Sequence, residues 1–271
     1  MSGRRRDLVV TGALWVVLVI VGVLVVRSVD LLPALRSEEG AEVDLAFNTL
    51  LLYSIPVFAF VLAVLLYSVV RWRVDEPETG DQIRDVPAFS WGWFLVSTAL
   101  AGLIFVTPGL TGFFALQSAA TEEPDLEVRL TGVQWHWDVE YPEAGVALEA
   151  PQEILLPADR RVRFELTSAD VIHAFWVPAF RLKQDAIPGE TTELIVTPTE
   201  VSSYDADPNV RLQCAELCGT GHARMYVPVR VVEPAEFEAW LTGAAMGMGG
   251  DGMDMGSDGM DMGGNAGHDE G

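Results

Sequence analysis

The sequence predicts a chain in two parts: membrane-spanning helices first, then an all-β Greek-key sandwich, followed by a disordered tail. Three observations predict it. Half of the 271 residues are hydrophobic, yet the formal net charge is −22, a pairing that suits no single soluble globule. The two characters are segregated, because long uncharged runs precede Thr121, while Thr121–Thr242 carries 9 basic and 22 acidic residues. Hydrophobic patterning also changes at Thr121, from continuous runs to short alternating stretches. Such an acidic surface repels phosphate and excludes nucleic acid as a partner.

The apolar runs come first. Leu8–Val26, Phe47–Val70 and Phe89–Leu116 span 19, 24 and 28 residues, and none contains a charge. Each is long enough to cross a hydrocarbon core of roughly 30 Å as a helix. Pro108-Gly109 marks a kink in the third run or its outer end. Arginine placement orients the spans. Arg4, Arg5 and Arg6 precede the first run, and Arg71, Arg73 and Arg84 follow the second, which puts both positions inside. The intervening loop holds Asp30, Glu38, Glu39, Glu42 and Asp44 and suits the outside. The third run then exits outward, so the acidic C-terminal half is expected outside the cell membrane. The first run has two readings, a retained extra span or a cleaved signal with Arg5-Arg6 as its basic start. The orientation of the other two spans is the same under either.

Strands are expected at Glu127–Tyr141, Arg161–Thr167, Thr192–Thr197, Val210–Gln213 and Met225–Val232, with prolines and glycines between them. Short strands at such spacing suggest a Greek-key sandwich. Pro234–Leu241 reads as a short closing helix with Phe237 and Trp240 on its apolar face. From Gly243 onward the sequence is Met-, Gly- and Asp-rich, and Asp-Gly-Met-Asp-Met-Gly occurs at 251–256 and 258–263. Nothing apolar is available to fold it, so a disordered tail is expected; its Met-x-Met thioethers also suit capture of Cu(I). The expected divisions are 1–46, 47–120, 121–242 and 243–271.

The chemistry lies in Cys214-Ala-Glu-Leu-Cys218-Gly-Thr-Gly-His222-Ala-Arg-Met225, with His173 upstream at a strand end. Two cysteines so close are a local site rather than a disulfide framework. A simple Cys214–Cys218 disulfide would leave His222 and Met225 without a role, and zinc has little use for a thioether. Thiolate, imidazole and thioether together suit copper. A mononuclear blue-copper site needs one thiolate, so the second cysteine points to two coppers bridged by both sulfurs.

This motif resembles the dinuclear copper A site of cytochrome c oxidase subunit II. The resemblance implies a cupredoxin-like outer domain in which Cys214 and Cys218 bridge the coppers and His173 and His222 bind one each. Met225 and the Glu216 carbonyl would be the weak ligands. In that family the carboxylate at the position of Glu216 also reaches a magnesium shared with subunit I. Asp170, three residues before His173, matches a family carboxylate near the site, and Lys183-Gln-Asp185-Ala-Ile-Pro-Gly resembles a family turn. Gly132-Val-Gln-Trp135-His-Trp137-Asp-Val-Glu-Tyr141 resembles the family's aromatic segment, and the resemblance implies that Trp135 would be the electron-entry residue. His136 replaces the usual tyrosine. The family often carries a glutamate at the inner start of the last span; here Pro87-Ala-Phe-Ser has none, and Asp85 is the nearby carboxylate.

The implied function is electron entry into a respiratory haem–copper oxidase. An external donor, cytochrome c or a small blue-copper protein, would pass electrons through copper A to haem in subunit I. There oxygen is reduced to water and protons are pumped. Oxidase subunit I, the other oxidase subunits and the membrane are the implied partners. Two alternatives stand beside it: the copper A subunit of a nitric or nitrous oxide reductase, and a membrane-anchored copper-delivery protein. Lys183 is the single lysine, and an acidic, lysine-poor exterior resembles that of proteins from halophiles.

Overall fold

A computed structural model describes residues 3–71, 73 and 87–248. The second loop with Arg84 and Asp85, and the tail from 249 on, lie outside the described residues. Helices α1 (Gly3–Ser28) and α2 (Gly40–Arg71) form an antiparallel pair, and α3 (Pro87–Ile104) and α4 (Thr111–Ala120) follow. Arg5–Ser28, Gly40–Arg71 and Pro87–Ala119 are long and apolar enough to cross a membrane, with mean hydropathies of 3.0, 2.5 and 1.9. The third stretch kinks rather than ends at Pro108. Thr107 adopts φ −135° and ψ 109°, the extended conformation that a following proline imposes, and helix resumes at Thr111.

The contacts between α1 and α2 are specific. The Trp15 indole donates to the Pro56 carbonyl at 2.8 Å, and the Tyr67 hydroxyl donates to Asp7 at 2.7 Å. Gly22 lets the helices approach, since a Cβ there would lie 2.9 Å from Ile55. Helix α2 begins at Gly40, before the apolar run. At 1.5 Å per residue it is about 48 Å long, more than a hydrocarbon core of about 30 Å, so its outer turns stand beyond the core.

The outer part is a two-sheet sandwich. Its strands are β1 (Leu126–Val133), β2 (His136–Tyr141), β3 (Val146–Leu148), β4 (Ile154–Pro157), β5 (Val162–Ser168), β6 (His173–Trp176), β7 (Lys183–Ala186), β8 (Thr192–Val196), β9 (Ser202–Ser203), β10 (Arg211–Cys214) and β11 (Tyr226–Val232). One sheet has the order β3-β2-β1-β5-β8, the other β4-β11-β10-β6-β7 with β9 on β11. β1 runs parallel to β5 and β4 parallel to β11, while the other pairs are antiparallel. Alternation drives the packing. Val162, Phe164 and Leu166 of β5 point inward between half-buried neighbours. Trp137, Val139 and Tyr141 meet them from β2, and Phe175, Leu212, Val229 and Val231 come from the facing sheet. The closing helix α5 (Pro234–Gly243) covers one end, with Phe237 and Trp240 against the Tyr141 ring at 6.0 and 5.2 Å. Helical turns continue to Met248, past the end at Leu241 read from the sequence.

One sequence expectation needs correction. Glu127–Tyr141 is not one strand: the chain reverses at Gln134-Trp135, and β1 pairs with β2 from Arg129↔Glu140 to Val133↔His136. The segment between α1 and α2 is bonded into the sandwich. Arg36 N–H donates to the Ala179 carbonyl, Glu38 N–H to that of Thr197, and Thr199 N–H to that of Arg36. The Ser37 hydroxyl donates to the Phe180 carbonyl. Buried Glu39 accepts from both the backbone N–H and the hydroxyl of Thr197 at 2.8 Å. Arg181 grips Asp44 at the start of α2, 2.6 Å away.

Candidate metal centre

The sandwich brings the sequence-read ligands together at one edge. His173 opens β6 and Cys214 ends β10; these strands are antiparallel neighbours, with Cys214 opposite Phe175. The chain then loops outward and returns as β11, so that Cys214 N–H donates to the Met225 carbonyl at 2.9 Å. Ala215 N–H donates to the Ala174 carbonyl and ties the loop to β6. Gly219, at φ +118°, makes a turn that other residues rarely adopt. The single helical turn His222–Arg224 then aims His222 back at the cysteines.

The resulting geometry is compact. Cys214 and Cys218 Sγ stand 3.8 Å apart, far beyond a disulfide bond of about 2.05 Å. His173 Nδ1 lies 3.8 Å from Cys214 Sγ, and His222 Nδ1 lies 3.7 Å from Cys218 Sγ. Met225 Sδ is 3.7 Å from Cys218 Sγ, and the Glu216 carbonyl oxygen is 3.1 Å from Cys214 Sγ. His173, Cys214, Cys218 and Met225 are buried, whereas His222 is half-buried and the Glu216 side chain is exposed. Two donors each about 2.3 Å from a shared ion, at a tetrahedral angle, stand about 3.8 Å apart. The separations therefore fit a metal held between sulfurs and imidazoles, and the donor types suit copper.

Electrostatics support these positions. Burial, together with the neighbouring Cys214, pushes the Cys218 thiol up to about 11. Metal binding must displace its proton. The second nitrogen of His173, Nε2, lies 2.8 Å from Asp170 Oδ1, the carboxylate–histidine arrangement that orients ligating imidazoles. Partial desolvation pushes the Asp170 carboxyl up. Hydrogen bonds from His173 and from the Val171 and Gln134 backbone outweigh it and hold the carboxyl below its ordinary value.

Trp135 also reaches the site. Its indole Nε1 donates to the Cys218 carbonyl at 3.3 Å, and 38% of the residue is exposed. The Lys183–Ala186 turn residues form β7, beside β6. Sequence reading missed two contributors. Gly132 lies under His173, where a Cβ would stand 2.7 Å from the imidazole Cδ2. Gln134 donates from its side-chain amide to the Cys218 carbonyl at 2.6 Å. Both lie within the recognised aromatic segment, but only pairing across the fold brings them to the candidate ligands.

Residues 144–232 match the family described as "Cytochrome C oxidase subunit II, periplasmic domain". Cytochrome c oxidase subunit 2 of Thermostichus vulcanus is 40% identical over 144 residues, which cover 53% of this chain and 41% of that protein. The Branchiostoma floridae protein of the same name is 30% identical over 165 residues, covering 54% of this chain and 69% of its own length. The crystal structure of the periplasmic domain of subunit II of cytochrome oxidase from Bradyrhizobium japonicum is 34% identical. It covers 47% of this chain and 98% of that one, with a TM-score of 0.42. The chain spans about half the length of the first curated relatives it matches.

Proposed function

The chain belongs to the cytochrome c oxidase subunit II family, and from that premise we propose that it is the electron-entry subunit of a respiratory haem–copper oxidase. The observation that carries this reading is the pair of free thiols 3.8 Å apart, each flanked by an imidazole nitrogen. Two thiols, two imidazoles, a thioether and a carbonyl exceed the four donors of a tetrahedral ion, which favours two coppers. Cys214 and Cys218 would bridge them, with His173 and His222 as single ligands and Met225 and the Glu216 carbonyl as weak ones. When bound, this copper pair supplies a one-electron relay with an unpaired electron shared between two metals.

The protein's own residues hold that relay stiff. Ligands come from packed strands and a loop tied by backbone bonds, so the site is preorganised and needs little rearrangement when charge changes. Burial of His173, Cys214, Cys218 and Met225 keeps water out. The part-exposed Trp135 offers a docked donor an aromatic surface bonded directly to a ligand residue. That link favours a relay over copper delivery, which has no need of it. The exposed Glu216 carboxylate is free to reach a magnesium at the subunit I interface.

In this reading cytochrome c or a small blue-copper protein is the donor. Subunit I, with the other oxidase subunits, reduces oxygen to water and pumps protons. The helices would place the chain in the cell membrane as a multi-pass protein, with the copper domain, 121–242, on the extracytoplasmic side. The acidic, lysine-poor exterior supports a halophilic source.

Electron paramagnetic resonance and optical absorption of the full chain, loaded with copper, test the reading. The expected result is a mixed-valence spectrum with the electron shared over two coppers, lost in Cys214→Ser and in Cys218→Ser. A one-copper spectrum, or preferential binding of zinc, would overturn it.

A further inference from the structure

Gln134 sits in the turn between β1 and β2, and its two polar ends grip opposite halves of the metal centre. Its backbone N–H donates to Asp170 Oδ2 at 2.7 Å, while the other oxygen of Asp170 lies 2.8 Å from His173 Nε2. Its side-chain amide donates to the Cys218 carbonyl at 2.6 Å. The Trp135 indole donates to that same oxygen at 3.3 Å. A carbonyl oxygen has two lone pairs and accepts both donors.

The two bonds are unequal. The indole bond is at the long end for N–H to O, whereas the amide bond is short. Trp135 by itself is therefore weakly tethered, and its neighbour holds the carbonyl it leans on. The fit is close on the other side too. A Cβ on Gly221 would enter the Trp135 ring, and one on Gly219 would stand 3.1 Å from Gln134 Nε2 and 3.4 Å from Trp135 Cζ2. The bare backbone at these two positions is what lets both side chains close onto the ligand loop. From the indole nitrogen the route to sulfur is one hydrogen bond and then the C=O, C–Cα, Cα–Cβ and Cβ–Sγ bonds of Cys218.

We propose that Gln134 is the positioning residue for electron entry, fixing the Trp135 indole against the backbone of the ligand Cys218. This rests on the reading of Trp135 as the entry residue. The electron would pass from a reduced protein donor to copper held by His173, Cys214, Cys218 and His222; Gln134 gains and loses none, and no bond or proton moves at it. Its substitution changes the seat of the indole and leaves the copper ligands in place.

Fluorine NMR of the full chain, metal-free and carrying fluorinated tryptophan, separates this role from a general structural one. The chain has 8 tryptophans, and Trp135→Phe identifies the line of interest. Gln134→Leu keeps the bulk and removes the donor; the Trp135 line should shift and broaden while the others hold. An unmoved Trp135 line would overturn the proposal. If Gln134→Leu disturbs most lines, Gln134→Glu replaces the donor with an acceptor at equal length. The same selective displacement is then expected, and an undisplaced line again overturns the proposal. In the copper-loaded oxidase, electron uptake from reduced cytochrome c should fall in Gln134→Leu toward the Trp135→Phe rate, with the copper absorption unchanged. A displaced line with unaltered uptake would overturn the positioning role where Trp135→Phe is slow, and uptake in Trp135→Phe as fast as in the parent would refute Trp135 as the entry point.

Discussion

Replacing Glu39 by alanine should loosen the β-sandwich although Glu39 belongs to the segment between the first two helices. Its carboxylate is 7% exposed and accepts two hydrogen bonds from Thr197, each 2.8 Å long. Thr197 is itself 6% exposed, so water replaces neither bond readily. Glu39→Ala leaves a backbone N–H and a hydroxyl without acceptors in a buried place, at about 1–3 kcal/mol each. The hydroxyl can rotate toward another acceptor, which brings the expected total to about 2–4 kcal/mol. For a folded unit of this size, 1 kcal/mol moves Tm by about 2–4 °C, so a fall of roughly 5–15 °C is expected. Glu39→Gln keeps one acceptor and should lose about half as much. The assay is thermal unfolding of the metal-free full chain in detergent, followed by near-ultraviolet circular dichroism at one scan rate. A Glu39→Ala midpoint within about 1 °C of the parent would refute the reasoning. It would show that the Arg36–Gly40 segment lies on the sandwich without holding it.

Further outcomes follow from the same geometry. Gly132→Ala places a Cβ 2.7 Å from His173 Cδ2 and 2.9 Å from Cγ, against a ring with no exposure. Overpacking of this kind costs about 1–3 kcal/mol, and the displaced imidazole should reduce copper stoichiometry more than it reduces folding. Full copper occupancy in a folded Gly132→Ala protein would refute that account. Tyr141 is fully buried, and its hydroxyl donates to the Leu155 carbonyl at 2.9 Å. Burial raises its phenol pKa well above the ordinary value. A raised folded-state pKa means that the contribution to stability is complete below the unfolded value, about 10, and is lost as pH rises beyond it. Tyr141→Phe should therefore cost about 1 kcal/mol at neutral pH, with the gap closing in alkaline denaturation curves above about pH 10. A constant gap across that range would count against the assignment.

Local pattern made much of this protein legible. Uncharged runs of helix-spanning length identify the membrane helices without any tertiary information, because each satisfies its own backbone and needs only apolar side chains. The cluster from Cys214 to Met225 is equally local: one loop carries most of the candidate donors, and their residue types by themselves suit copper. Long strands with clean alternation, such as β5 and β11, were visible for the same reason. Short strands such as β3, β6 and β7 hold 3 or 4 residues and show no period of their own. The reversal at Gln134-Trp135 carries no glycine or asparagine to announce it.

Only the tertiary structure decided which distant groups meet. Glu38, Glu39 and Asp44 look like a solvated acidic loop, yet Glu39 is buried against Thr197, 158 residues away, and Asp44 is gripped by Arg181. His173 faces Cys214 across 41 residues because β6 and β10 are neighbours in one sheet. Gln134 finds the Cys218 carbonyl across 84 residues. Propensity and periodicity are set by near neighbours in the chain. A hydrogen bond between distant residues depends on sheet order and register, which form only when the whole core packs.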